Sequence, residues 1–267
     1  MRTPSVAGLS PLGLLVLFLV VAPSPAHAIA INPDDFVSDI DNPFFPLVPG
    51  TTFSYQGISD GTPSSNEFFV TFDTKLILGV TTTVVHDRAF EEGELVEDTF
   101  DWFAQDKFGN VIYFGEDSTE IDPDTGLPIS KHGSWEAGVD GAEAGFIMKA
   151  NPFVGDLYHQ ELAPGVAEDQ AEVLSLTEFL CVPVGCFNNV LLTKEFSLLE
   201  PGIAEHKYYA SGVGFIFGER VEGEGEEFTE LVGIGVVPEP STVLLLGMGL
   251  GGLLGAGRRR RPQHAES

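Results

Sequence analysis

Apolar and polar residues alternate with a period of two along most of this chain, in short runs separated by Gly, Pro, Asp and Asn. That period sends successive side chains to opposite faces and predicts half-buried strands. The runs cover 51–56, 67–78, 81–90, 94–105, 111–117, 156–162, 172–182, 189–198, 205–210, 214–220 and 228–234. Val, Ile, Thr, Phe and Tyr are frequent in them, as suits a pleated surface. Lys107, Phe108, Gly109 and Asn110 read as a hairpin turn. In the run 94–105, Val96, Phe100 and Trp102 share one parity with Asp98. Such strands, with few helical periods between them, predict a mainly β protein: an antiparallel curved meander, either a half-barrel or a closed barrel. No strict repeat of fixed period is present. The Gly-rich stretch 133–145, with Trp135, Glu136, Asp140 and Glu143, reads as a loop that splits the strands into two groups. A second loop, 218–227, is acidic and Gly-rich.

One segment has a helical signature. Asn32 can cap, Pro33 suits a first turn, and Asp34 and Asp35 complement a helix dipole. A short N-terminal helix here would put Phe36, Val37 and Ile40 on one face and plug one end of the sheet. Asp41, Asn42 and Pro43 would end it.

Two apolar runs lie outside the strand pattern, one at each end. Arg2 precedes an apolar run over 12–22, and Ala26, His27 and Ala28 follow. This is the layout of a secretory signal with small residues at Ala26 and Ala28 for cleavage, so the mature chain is expected to start at Ile29. The Sec translocon and signal peptidase are the partners such a signal needs. At the other end, residues 241–257 form a span of roughly 25 Å as a helix, near the lower limit for crossing a bilayer. Arg258, Arg259, Arg260 and Arg261 follow it, can snorkel, and are expected to stay cytoplasmic, which leaves the chain before Pro238 outside. Pro238 and Pro240 keep the junction extended and open to a processing enzyme. Gly247, Gly251 and Gly255 either permit close helix packing or simply make a poorly anchoring span. The expected organisation is a signal peptide over 1–28, an exported acidic β-rich domain over 29–237, a C-terminal sorting segment over 238–261 and a cytoplasmic tail over 262–267.

Charge narrows the partners. The chain has 13 basic and 40 acidic residues, a net charge of −27. Arg2, the four C-terminal arginines, Glu239 and Glu266 lie outside 29–237, which leaves 8 basic against 38 acidic residues in the body. Such a surface argues against nucleic acid and anionic lipid, and favours solubility, cations or a hydrated matrix such as exopolysaccharide. The 21 Phe can supply a core. Cys181 and Cys186 are the only cysteines. Export admits a disulfide, and Pro183 and Gly185 suit a tight turn that lets the two face each other across a hairpin. Their spacing is not that of a Cys-x-x-Cys pair.

Little else points to chemistry. Gly-x-Ser-x-Gly, His-Glu-x-x-His and phosphate-binding loops are absent. His86, His132, His159 and His206 are dispersed. His159 and Glu161 would share a face on a strand, as a metal pair or as a surface polar stripe. Asp122 and Asp124 stand in Asp-Pro-Asp-Thr-Gly, the beginning of many calcium loops, with Glu116, Asp117 and Glu120 upstream; a plain β-turn accounts for the same residues. Glu92, Glu94, Asp98 and Asp101 lie near Trp102 and Phe103, where a glycosidase could find two carboxylates and an aromatic platform.

The sequence Val-Val-Pro-Glu-Pro-Ser-Thr over 236–242, with Pro238, Glu239 and Pro240, followed by the short apolar span and the four arginines, resembles the PEP-CTERM sorting signal. That resemblance implies an exosortase-type membrane protease as partner and transfer to the cell surface or extracellular matrix. In the body, Asp-Asn-Pro-Phe-Phe-Pro-Leu-Val-Pro-Gly-Thr-Thr-Phe-Ser-Tyr over 41–55 resembles the opening segment of uncharacterised exported bacterial β-proteins. Residues 183–190, Glu205 to Tyr209 and Gly212 to Gly214 resemble their closing half and pieces of the curved half-barrels related to periplasmic lipoprotein carriers. The resemblance implies a fold and transfers no activity. The expectation is a non-enzymatic exported protein without a cofactor. The alternatives are a calcium-dependent or hydrophobic-ligand binding module, and a polysaccharide-acting hydrolase.

Overall fold

The computed structural model describes residues 29–238. The signal segment with Ala26 and Ala28 lies outside the described residues, as do Glu239, Pro240, the apolar span and Arg258 to Arg261. Within them, a 3-10 turn (Pro33–Asp35) leads into β1 (Phe36–Val37). Five longer strands follow: β2 (Thr51–Ser59), β3 (Thr62–Ile77), β4 (Val80–Glu91), β5 (Glu94–Asp106) and β6 (Val111–Ile121). Then come five short ones: β7 (Pro128–Ser130), β8 (Trp135–Glu136), β9 (Glu143–Met148), β10 (Leu157–His159) and β11 (Glu161–Leu162). The chain ends with β12 (Asp169–Val182), β13 (Gly185–Ser197), β14 (Ala204–Ala210), β15 (Gly214–Glu222) and β16 (Phe228–Val236).

All pairings are antiparallel, and thirteen strands follow one path, β10-β12-β13-β14-β15-β16-β2-β3-β4-β5-β6-β9-β11, while β1 pairs with β5, and β7 and β8 with β6, off it. The two ends of that path, β10 and β11, are separated in the chain by Gln160 alone. Residues 157–159 pair with β12 and residues 161–162 with β9, so one short segment changes partner and joins the two edges. The sheet is a nearly closed barrel, and closure of this kind removes most of the exposed edge. The chain passes close at the joint: a Cβ on Gly145 in β9 would lie 2.2 Å from the Gln160 carbonyl oxygen.

The stretch 133–145 is not the loop that its glycines suggest. It carries β8 and the start of β9, both paired with β6, and thereby joins the two halves of the sheet instead of dividing them. The N-terminal helix is also absent. Asn32 does cap, accepting the Asp34 amide on its side chain, but the helix stops after one 3-10 turn. The Lys107 amide takes the Asp35 carbonyl at 2.7 Å, and Phe36 and Val37 pair with Asp106 and Gln105. The backbone groups a second helical turn would need are already bonded to the sheet.

The plug assigned to that helix is built from extended chain instead. Ile40 bridges Leu47, and both are buried. Asn42, 2% exposed, donates from Nδ2 to the carbonyls of Gly109 and Lys149 and accepts the Phe44 amide. Gln105 accepts the amides of Asp41 and Asn42. The Gly212 amide reaches the Pro43 carbonyl at 2.7 Å, so residues 41–50 and 212–214 meet at one end of the barrel. Phe45 packs edge-on against Phe103 there. The core continues through Val70, Val85, Tyr113, Leu191, Ile216 and Leu231.

Replacing Gly145 with Val forces the Gln160 backbone away from β9. A loss of about 3 kcal/mol is expected, by the cost of overpacking a filled site, measured as a fall in the denaturant midpoint. An unchanged midpoint would mean that the joint is loose.

Candidate functional site

Inside the barrel lies a cavity of about 610 Å³. Its walls come from the inward positions of β2 to β5 and β13 to β16, and the plug residues Phe45, Pro46 and Leu47 close one end. Phe53, Tyr55, Phe68, Phe103 and Phe215 supply an apolar side. Asp87, Glu97, Asp101, Glu195, Glu205 and Lys207 supply a charged one. A second, smaller cavity is lined by Glu116, His132, Glu161 and Asp169 and shares Glu195, Glu205 and Lys207 with the first. Lys207 therefore stands between the two.

Lys207 bonds Glu195 at 3.1 Å and lies 3.6 Å from Glu205. Burial alone would raise Glu195, but Lys207, together with the hydroxyls of Thr193 and Tyr209, each donating at 2.8 Å, holds it below its ordinary value. Burial would likewise lower Lys207, yet the two glutamates raise it. This is a satisfied, charged group of the kind that tolerates burial.

Asp87, Asp101, Glu116 and Glu161 have no ion-pair partner among the described residues. Burial, with some repulsion from Glu97, lifts Asp87 to about 7, against the pull of the Asn66 amide that donates to it at 2.6 Å. Asp101, 7% exposed, is raised well above the carboxylate range by burial and by Asp87 and Glu116. Glu116 is pushed to about 7, again first by burial. Glu161 is raised by burial and by Glu116 and Asp169. Tyr113 lies 2.5 Å from Asp101 and 3.0 Å from Glu116. A phenol carries one hydrogen, so both contacts are hydrogen bonds only when one carboxyl is protonated and donates. The burial of these acids and this proton count point the same way.

The residues singled out in the sequence distribute as follows. Asp101 faces the cavity, whereas Asp98 bonds His86 at 2.5 Å beside Phe100, which stacks on the same imidazole. The carboxylates expected to pair near Trp102 are thus split between the two faces. Trp102 is buried, with the Lys75 ammonium 3.1 Å from its ring centroid, and is no open platform. Val96 departs from the parity of Phe100 and Trp102: the β4–β5 register shifts between Ala89 and Phe90, and Val96 turns to the cavity. Glu161 lines the second cavity and His159 does not. Asp122 Oδ1 accepts the amides of Asp124 and Thr125, closing the turn between β6 and β7. Among the described residues no group of three or more His, Cys, Asp or Glu side chains converges on a point that could hold a metal. Cys181 and Cys186 are opposite each other at the tip of the β12–β13 hairpin and form a disulfide. Pro238, the last described residue, follows β16 by two positions, and the Val237 amide bonds the Gly50 carbonyl at 2.8 Å.

Sequence reasoning did not assign Asp87, Glu97, Glu195 or Lys207 to a site, and it weighed Glu116 and Glu161 only beside candidate metal ligands. The available signal was parity. Asp87 alternates with Val85 and Ala89, and Glu205, Lys207 and Tyr209 alternate in β14. Charged residues at the apolar parity of a strand point inward.

Residues 236–261 match the PEP-CTERM protein-sorting motif. The chain therefore carries the sorting signal of an exported protein processed by an exosortase-type system. No curated protein matches the chain. Two solved structures are similar to it. One is a protein from Bacteroides fragilis assigned as exported, with a YmcC-like fold, at 15% identity and a TM-score of 0.44 over 72% of this chain and 98% of the other. The second is a protein from Parabacteroides distasonis assigned as a lipoprotein, at 13% identity and a TM-score of 0.42 over the same shares.

The raised acids fix a direction for pH dependence. The folded state binds more protons than the unfolded chain between the ordinary carboxylate range and about pH 7. Stability is then fully present in acid and lost as pH rises through 7, on the order of a few kcal/mol in all. The melting temperature is expected to fall from pH 5 to pH 8, and less steeply in Glu116→Gln. A rise over the same interval would contradict the burial of these groups.

Proposed function

We propose that this protein is a non-enzymatic exported protein of the cell surface or extracellular matrix whose barrel holds a small ligand with apolar character. In this reading the C-terminal span anchors it in the inner membrane, and cleavage near Pro238 to Pro240 releases or transfers it. The observation that carries the ligand-binding reading is the cavity of about 610 Å³, which lies in the range of small-molecule sites and pairs aromatic walls with a few fixed polar groups. The acidic body suits a hydrated matrix and repels anionic polymers. The separation of Asp98 from Asp101 weighs against the polysaccharide hydrolase weighed above.

Two measurements test this. Nile red, a neutral apolar dye, is expected to bind saturably at one per chain and to lose at least tenfold in affinity in Ala89→Trp, which fills the cavity wall. Binding unaffected by that substitution would move the dye, and the proposed site, elsewhere. The intact mass of the protein exported by its native host is expected to fit a chain that starts at Ile29 and ends near Pro238 to Pro240. A mass that includes Arg258 to Arg261 would mean a plain anchored protein, and sorting would be wrong.

A further inference from the structure

The described body has eight Lys and Arg side chains, and every one is in an ion pair. Lys75 meets Glu136, Arg88 meets Glu67, Lys107 meets Asp35, and Lys131 meets Asp117. Lys149 meets Asp156 and Lys194 meets Glu222, while Lys207 and Arg220 each serve two carboxylates. Lys207 and Arg220 both line the cavity, paired with Glu195, Glu205, Asp60 and Glu227, and among the described residues no Lys or Arg pairs with Asp87, Glu97 or Asp101.

Those acids are held in place. Asn66 donates to Asp87, and the Thr99 and Ser118 hydroxyls donate to Glu97 at 2.8 and 3.2 Å. Tyr113 donates to Asp101 Oδ1 at 2.5 Å. Asp101 is more than nine-tenths buried and still lines the cavity. The acids do not converge as metal ligands do, and they line the same space as Phe53, Phe68 and Phe215. Buried without a cation, Asp87 and Asp101 are driven to hold protons; a cation brought by the ligand favours their ionised form, and the protons leave to solvent as it binds. Aromatic walls add to the attraction for an ammonium group and cover an apolar body.

We infer that the ligand of this cavity is an organic cation with an apolar body, an alkyl- or arylammonium, whose charge is taken by Asp87, Glu97 and Asp101 and whose body lies along Phe53, Phe68 and Phe215. The inference rests on the proposed reading of the cavity as a ligand site and adds the ligand's charge.

Calorimetric titration of the exported protein at pH 7.5 with decylamine, decanol and spermidine separates the possibilities. Decylamine is protonated at that pH and decanol has the same chain without the charge. Decylamine is expected to bind at one per chain, at least tenfold more tightly than decanol. In Asp87→Asn with Asp101→Asn that advantage is expected to vanish while decanol affinity stays. Both substitutions are isosteric and keep the Asn66 and Tyr113 contacts, and an unchanged or raised melting temperature confirms the fold. Equal affinity for decylamine and decanol, or an advantage that survives in the double variant, overturns the inference and leaves the cavity as an apolar site. Spermidine binding more tightly than decylamine overturns the apolar body. Failure of all three to bind overturns the inference and the proposed ligand function together.

Discussion

The chain moves from one edge of the sheet to the other across Gln160, and the interior of the barrel depends on that change of partner. With residues 157–159 on β12 and 161–162 on β9, the curved sheet returns on itself. Were this joint missing, Glu161 would leave the second cavity and the carboxylates on the inner faces of β4, β5 and β6 would face open water. Their raised affinity for protons comes first from burial, so it is a property of closure more than of any neighbouring residue. Gly145 permits the joint because the passing backbone leaves no room for a side chain.

Closure also explains how one chain can be strongly acidic and yet have a demanding interior. Thirty excess negative charges on a body of this size are readily accommodated where water screens them. Inside the barrel the same residue types must be paired, protonated or matched by something from outside. Glu195 follows the first course with Lys207, and Tyr113, Asp101 and Glu116 share protons by the second. Both solutions occur in one interior: Lys207 neutralises Glu195 where the two cavities adjoin, and the acids around Tyr113 are left to hold protons.

Much of this fold was legible in the residues. The long strands stand where alternation put them, from Phe53 and Tyr55 in β2 to the run ending β16, because period-two patterning is enforced by a two-faced sheet. The turn at Lys107 to Asn110 is where Gly109 demands it, with a φ of 90°. The short pieces were not legible. Trp135, Glu136 and Glu143 belong to strands set by long-range pairing with β6 and β11, within a Gly-rich stretch whose local signal says loop. The helical signature at Asn32 to Asp35 was real but local: the cap formed, and tertiary pairing with β5 overrode what followed. The interior acids escaped notice because a sequence records that a charged residue alternates, and only the closed barrel shows that both of its faces are enclosed or paired. Asp98 and Asp101 look like neighbours in the chain and are separated by the thickness of a sheet.

The last strand links the barrel to its sorting signal without a spacer. Val236 pairs with Thr51, Val237 bonds Gly50, and the matched motif begins at residue 236. β16 lies against β2 along eight paired positions but against β15 along only three. A pull on the tail along the axis of β16 therefore loads the β2 ladder in shear, where many hydrogen bonds carry the force together instead of parting one by one. The barrel is coupled to its sorting signal as a mechanical element, and a pull on that tail would be borne by its wall before it reached the cavity.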